Sequence, residues 1–141
     1  MQHRLSDEDT AFRRAFEAFE VHPDAFDHAA HVRLAYTYLC DGPVEAAVDR
    51  MRRSLLAFLD HLGASPARYH ETMTRAWVMA VHRFMDGSPA CASAAEFARR
   101  NPVLLDRSIM LTHYSAEVLF SPEARAAFVA PDVQPIRRTR V

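Results

Sequence analysis

Lysine is absent from this sequence of 141 residues, so all 17 basic side chains are arginines. A lysine Schiff base and the phosphate-binding lysine of P-loop proteins are therefore excluded. Cysteine is scarce, because only Cys40 and Cys91 occur, far apart and outside any CxxC pair. Reduced thiols are the expectation for such a pattern. The first residues also lack the apolar stretch of a secretory signal, so we expect a cytoplasmic location.

Strong net charge and long apolar runs are missing as well. The formal net charge is −1, and the basic residues near the C-terminus, Arg137, Arg138 and Arg140, form only a short tract. A nucleic-acid partner is not expected without a broad basic surface. No apolar run approaches the roughly 20 residues that span a bilayer, so no membrane partner is expected either. The length predicts a single domain over residues 1–141.

Apolar residues recur at helical spacing along the chain, and no alternation of period two is found. The sequence therefore predicts an all-α fold, an up-down bundle of five to six helices. Prolines and a run of polar residues predict an extended C-terminal tail, loosely held from about residue 130. The predicted helices cover residues 6 to about 20, 28–40, 43–62, 66 to about 85, a short segment ending at Arg99, a broken stretch from 102 to about 112, and 121 to about 129.

Local sequence signals mark several helix ends. Ser6 followed by Asp9 resembles a capping box, and Asp27 is an N-cap candidate for the second helix. Gly63 is placed to end the third helix. Ser65 and Pro66 are predicted to begin the fourth.

Histidines form the one pattern that suggests chemistry. His28 and His31 are three residues apart, so both imidazoles lie on one face of the second helix. In an up-down bundle the first turn of the fourth helix lies at the same end, and it contains His70. We therefore predict a metal site with His28, His31 and His70 as ligands and His113 as a possible fourth. Three histidines suit zinc, copper or iron, and spacing does not choose among them.

Polar residues near these histidines support a second interpretation that needs no metal. Tyr36, Tyr69, Thr74 and Arg33 would surround the metal or orient a small-molecule ligand. Together with helix N-termini they would equally form a pocket for a small anion, with His31 or His70 as general base. The alternative for Tyr36, Tyr69 and Trp77 is that they are aromatic residues of the core.

Five short motifs follow one another along the chain: FxHxxH at 26–31, YHxT at 69–72, HYS at 113–115, SPEAR at 121–125 and PD at 131–132. In this order they resemble a family of small uncharacterised bacterial helical proteins, over about residues 26 to 135. The resemblance implies a helical fold and a bacterial origin, and no activity. Members of that family often have a second histidine where this sequence has Asp27. Asp27 is accordingly either an oxygen ligand or an N-cap.

Two functions from different classes follow from these patterns. The first is a metal-dependent enzyme or metal-binding protein that acts on a small molecule, for which an oxidoreductase or a hydrolase would both fit. The second is a non-catalytic helical domain that binds a ligand or another protein, with a homodimer through an exposed aromatic face as one form. The arrangement of His28, His31 and His70 distinguishes them, because metal ligands must point at a common centre.

Overall fold

A computed structural model describes residues 2–136 and confirms the all-α prediction. Within these residues the chain forms seven α-helices and four short 3₁₀ helices, and no strand. The α-helices are α1 (Asp7–Glu17), α2 (His28–Asp41), α3 (Val44–His61), α4 (Glu71–Asp86), α5 (Ala94–Arg100), α6 (Ala116–Leu119) and α7 (Pro122–Ala126). The 3₁₀ helices are Pro23–Ala25, Pro66–Arg68, Pro102–Leu105 and Arg107–Thr112. The basic tract at 137–140 lies outside the described residues.

The centre of the molecule is built by α2, α3 and α4, each of which packs against the other two. Helix α1 covers α2 and α3, α5 lies against α2, and α7 lies against α4. Helix α2 is the most enclosed of them, since eight of its residues are buried, including the whole run from Leu34 to Leu39. This burial agrees with the nearly unbroken apolar sequence of the segment.

Helices α3 and α4 run in opposite directions, as an up-down bundle requires. Arg75 of α4 binds Glu45 at the beginning of α3 at 2.7 Å. Arg52, further along α3, binds Glu71 at the beginning of α4 at 2.7 Å. Residue numbers therefore rise along one helix as they fall along the other.

The predicted helix ends at Ser6, Asp27 and Gly63 are confirmed. The Ser6 hydroxyl accepts from the Asp9 N–H, and the Asp9 carboxylate accepts from the Ser6 N–H, which completes a capping box. The carboxylate of Asp27 accepts from the N–H of Ala30 and caps α2. After α3, Gly63 has a φ of +69°, the left-handed conformation that glycine adopts without strain.

The predicted start of the fourth helix is wrong. Ser65 and Pro66 begin a separate 3₁₀ helix, and the helical backbone resumes only at Glu71. Tyr69 and His70 between them have extended backbone conformations, with ψ values of 144° and 105°. His70 is therefore the N-cap of α4 and not a residue of its first turn.

Residues 131–136 of the C-terminal tail are not helical and make contacts with an earlier part of the chain. The N–H groups of Val133 and Gln134 both donate to the carbonyl of His113. Asp132 accepts from the N–H of Ser115, and Ile136 packs against the core. The prolines of the segment prevent a helix, as predicted, but its backbone partners lie in the preceding segment, which the local sequence did not show.

A search of the described helices for one long and apolar enough to cross a bilayer finds none.

Candidate functional site

His70 uses both ring nitrogens to join two segments of the chain. Its Nδ1 accepts a hydrogen bond from the Met73 N–H at 3.0 Å, so this nitrogen carries no proton. Its Nε2 must then carry the proton, which it donates to the carbonyl of Leu119 at 2.7 Å. No lone pair on His70 remains for a metal ion. Burial lowers the pKa of this side chain, which favours the neutral form that the two bonds require.

His28 and His31 lie near each other on the first turn of α2, as their spacing predicts. The Nε2–H of His28 donates to the carbonyl of Leu104 at 2.9 Å, and its ring meets Trp77 edge-on at 4.4 Å. The Nδ1–H of His31 donates to the carbonyl of Asp27 at 3.0 Å. Burial lowers the pKa of His31, and the neighbouring His28 lowers it further. Each of the two rings keeps one nitrogen that is not used in these bonds.

His113 is buried and binds the tail. Its exposed fraction is 6%, and its Nδ1–H donates to the carbonyl of Gln134 at 2.8 Å. In addition, the backbone N–H groups of Val133 and Gln134 donate to the carbonyl of His113. His113 therefore stabilises the C-terminal segment.

The four candidate ligands do not form a common centre. In the described part of the chain, no group of three or more histidine, cysteine, aspartate or glutamate side chains is arranged to hold a metal ion. Asp27, a possible oxygen ligand, is the N-cap of α2. A metal-dependent function stays a prediction, and of the predicted three-histidine set only the pair His28 and His31 retains a free lone pair for it.

Tyr36 lies in the packed interior, and Arg33 is only partly buried. The Tyr36 ring is fully buried, and its hydroxyl donates to the carbonyl of Arg4 at 2.7 Å. Burial raises the pKa of Tyr36 strongly, which excludes it as a base near neutral pH. The Arg33 Nε donates to the buried carboxylate of Asp9 at 3.1 Å. The alternative interpretation of Tyr36 as a core aromatic agrees with these contacts.

Tyr69 and Thr74 are engaged around the start of α4. The Tyr69 hydroxyl donates to Glu71 at 2.8 Å, and Glu71 also forms a bidentate pair with Arg52. The Thr74 hydroxyl donates to the carbonyl of His70 at 2.9 Å. Their hydrogen bonds are thus directed to this turn.

The role of His3 was not predicted from the sequence. The Cys91 N–H donates to its Nδ1 at 3.1 Å, and its Nε2–H donates to the carbonyl of Met85 at 2.7 Å. Its ring also meets Tyr36 and Phe97 edge-on. The hydrogen-bond partners of His3 lie more than 80 residues away in the chain, so no local pattern could show them.

A shallow surface groove of about 550 Å³ lies beside this N-terminal segment and contains none of the predicted site residues. Its lining comprises Gln2, His3, Arg4, Ala90, Cys91, Ala92 and Glu96. Burial raises the pKa of the Cys91 thiol, so the groove offers no activated nucleophile.

Exposed apolar side chains concentrate in the C-terminal third of the chain. Among the described residues, eight large hydrophobic side chains are exposed, and six of them lie between residues 103 and 133. The exposed fractions reach 58% for Phe120 and 60% for Val133. The six are Val103, Leu105, Leu111, Phe120, Phe128 and Val133, and the other two are Phe19 and Leu62. We call the six residues the C-terminal apolar set.

Comparisons with protein-family models, curated proteins and solved structures find no match to this chain. The resemblance to a family of bacterial helical proteins therefore stays a prediction.

Proposed function

We propose that this chain is a non-catalytic protein-interaction domain that associates with a second copy of itself through the C-terminal apolar set. The observation that carries the proposal is the concentration of exposed apolar side chains between residues 103 and 133. Exposed apolar surface costs free energy in water, and this cost is offset when a partner covers the surface.

The existing hydrogen bonds of the polar side chains also support a non-catalytic function. His70, Tyr36 and Arg33 make hydrogen bonds that join segments of the fold. A catalytic group needs a free donor or acceptor directed at a substrate. These side chains would have to break structural bonds before they could react.

Charge favours a second copy as the partner. The chain carries 17 basic and 18 acidic residues, so two copies repel each other only weakly. Contact between two identical surfaces also forms a closed two-fold dimer, which is the commonest assembly of soluble proteins.

Sedimentation equilibrium over a range of protein concentrations tests the proposal. The wild type is expected to self-associate. The double variant Phe120→Ser, Leu111→Ser is expected to raise the dimer Kd at least roughly tenfold, because about 1.4 kcal/mol of lost burial corresponds to that factor.

The matched control is the double variant Phe19→Ser, Leu62→Ser. It removes one phenylalanine and one leucine that are also exposed, at 38% and 41%, but outside the C-terminal apolar set. Its Kd should stay within about twofold of the wild type. A wild type that stays monomeric at every concentration, or a control that loses association as strongly, would overturn the proposal.

A further inference from the structure

His70 connects the first turn of α4 to the C-terminal helices. Its bond to the Met73 N–H caps α4, and its bond to the carbonyl of Leu119 holds the end of α6. Two residues on, the Thr72 hydroxyl donates to the carbonyl of Ala127 and accepts from the Val129 N–H, both at 3.0 Å. The same turn thus holds both α6 and the beginning of the tail.

The cap works only while His70 is neutral. A proton on Nδ1 removes the acceptor and turns a hydrogen bond into a contact between two donors. It also places a positive charge at a helix N-terminus, where the helix dipole disfavours it. Protonation therefore opposes the capped conformation of α4.

Charged groups surround His70 on several elements. Burial has the largest effect on His70 and lowers its pKa, whereas the hydrogen bond to the carbonyl of Leu119 raises it. Arg125 of α7 repels a proton on the ring and also lowers the pKa. On α4 itself, Glu71 is held by Arg52 and Tyr69. The other charged residues of the segments that adjoin His70 are exposed, so water screens their charges. They are Arg68 in the 3₁₀ helix Pro66–Arg68, Glu117 in α6 and Glu123 in α7.

We propose that His70 is an acid-sensitive latch, whose protonation frays the first turn of α4 and, through the bonds of Thr72, releases residues 127–136. The bond from Nε2–H to Leu119 is kept in the protonated ring, and α2 and α3 stay folded. The inference does not rest on the proposed self-association.

The direction of the pH effect follows from the lowered pKa. A base whose pKa is lower in the folded state contributes stability that is complete above its unfolded value, 6.5 for histidine. This stability is lost as the pH falls through the folded value. The latch should therefore be closed near neutral pH and open in mild acid.

Hydrogen exchange of individual amides, expressed as protection factors to remove the intrinsic pH dependence, tests the latch. Between about pH 7.5 and about pH 5 the protection of the Met73 and Val129 amides is expected to fall at least roughly tenfold. The amide of Leu55 within α3 should keep its protection. Uniform loss across all three amides, or no loss at any of them, would overturn the inference.

Two asparagine variants make the test specific to His70. His70→Asn keeps an N-cap acceptor that does not titrate, so its Met73 protection should be independent of pH. His22→Asn is the matched control, because His22 caps the 3₁₀ helix Pro23–Ala25 through its Nδ1 while its side chain is 73% exposed. It should behave as the wild type does. A pH-dependent loss at Met73 that persists in His70→Asn would contradict the latch.

If His70→Asn does not fold, the variant Thr72→Val distinguishes the cap bond of His70 from the bonds that Thr72 makes to the C-terminal segment. It removes the bonds to Ala127 and Val129 without changing a titratable group. Protection at Val129 should then be low at every pH, while Met73 should still lose protection in acid. Met73 protection that stays constant in this variant would overturn the inference.

Discussion

Asp9 shows what a single polar side chain contributes in this protein. Its exposed fraction is 1%, and its carboxylate accepts from the N–H of Ser6, the N–H of Ala94 and the guanidinium of Arg33. Burial by itself raises the pKa of this carboxyl, but the hydrogen bonds from Ala94, Ser6 and Arg33 outweigh it and hold the pKa below its ordinary value. One side chain thereby joins α1, α2 and α5.

Replacement of Asp9 by asparagine should destabilise the fold by about 2–3 kcal/mol, because the amide NH2 would face one of these donors and leave it unpaired. Urea unfolding at neutral pH measures the change in unfolding free energy. Asp7→Asn is the control, since Asp7 lies in the same first turn but is exposed. It should change stability by less than about 0.5 kcal/mol.

The same two variants should also differ in how their unfolding free energy depends on pH. The pKa of Asp9 is lowered in the folded state, so its contribution is complete above 3.8, the ordinary value. It is lost as the pH falls through the lowered value. The acid-dependent loss of stability in this range should therefore be smaller in Asp9→Asn than in Asp7→Asn, and equal losses would contradict the role assigned to Asp9.

At this scale the sequence indicated local partners and missed distant ones. The capping box of Ser6 and Asp9 was predictable because its two members are three residues apart. The bonds from Ala94 to Asp9 and from Cys91 to His3 were not, because each spans more than 80 residues. The spacing of histidines is especially hard to interpret, since the same spacing suits metal ligands and side chains that form hydrogen bonds with the backbone.

Two helices end with the same backbone hydrogen-bond pattern but with different residues. After α3, Gly63 takes the left-handed position, and Ala64 donates to the carbonyl of Leu59. After α1, Phe19 takes it at a φ of 64°, and Glu20 donates to the carbonyl of Ala15. A left-handed conformation costs a non-glycine residue roughly 1–2 kcal/mol. The Phe19 ring is stacked on His61 at 4.5 Å, which offsets part of this cost.

A double-mutant cycle on Phe19 and His61 measures the two effects separately. In a His61→Ala background, where the stack is gone, Phe19→Gly should stabilise the protein by about 1 kcal/mol. In the wild-type background the same change should gain less, because it also removes the stack. Thermal and urea unfolding supply the four stabilities.

Gly63→Ala is the companion variant for this cycle. A Cβ at Gly63 meets no atom within 4 Å, so only backbone strain acts, and a loss of about 1 kcal/mol is expected. Equal effects of Phe19→Gly in both backgrounds would show that the ring stack does not compensate the strained end of α1.

Elements were predictable where their signals are local. The ends of α2 and α3 follow from Asp27 and Gly63, and the broken stretch after Pro102 is present as two 3₁₀ helices. The start of α4 was not predicted, because Ser65 and Pro66 serve a 3₁₀ helix as well as an α-helix. Because the helix begins five residues later than predicted, His70 is the N-cap of α4 and not a residue of its first turn.

For the whole molecule, the all-α prediction held because helical periodicity is repeated in every segment. The convergence of histidines did not follow from it, since a common centre depends on side-chain directions that a shift of one helix start alters. In the described residues His3, His28, His70 and His113 instead bind the backbone of distant segments. We therefore regard these histidines as hydrogen-bonding links between segments.

Nitrogen NMR of the histidine rings at neutral pH, with and without zinc, tests this central claim most directly. The account predicts that His3 and His70 are neutral, with the proton on Nε2 and Nδ1 accepting a hydrogen bond, and that a stoichiometric amount of zinc leaves both rings unchanged. A zinc-induced shift of the His70 nitrogens together with those of His28 and His31 would contradict it and establish the three-histidine metal centre.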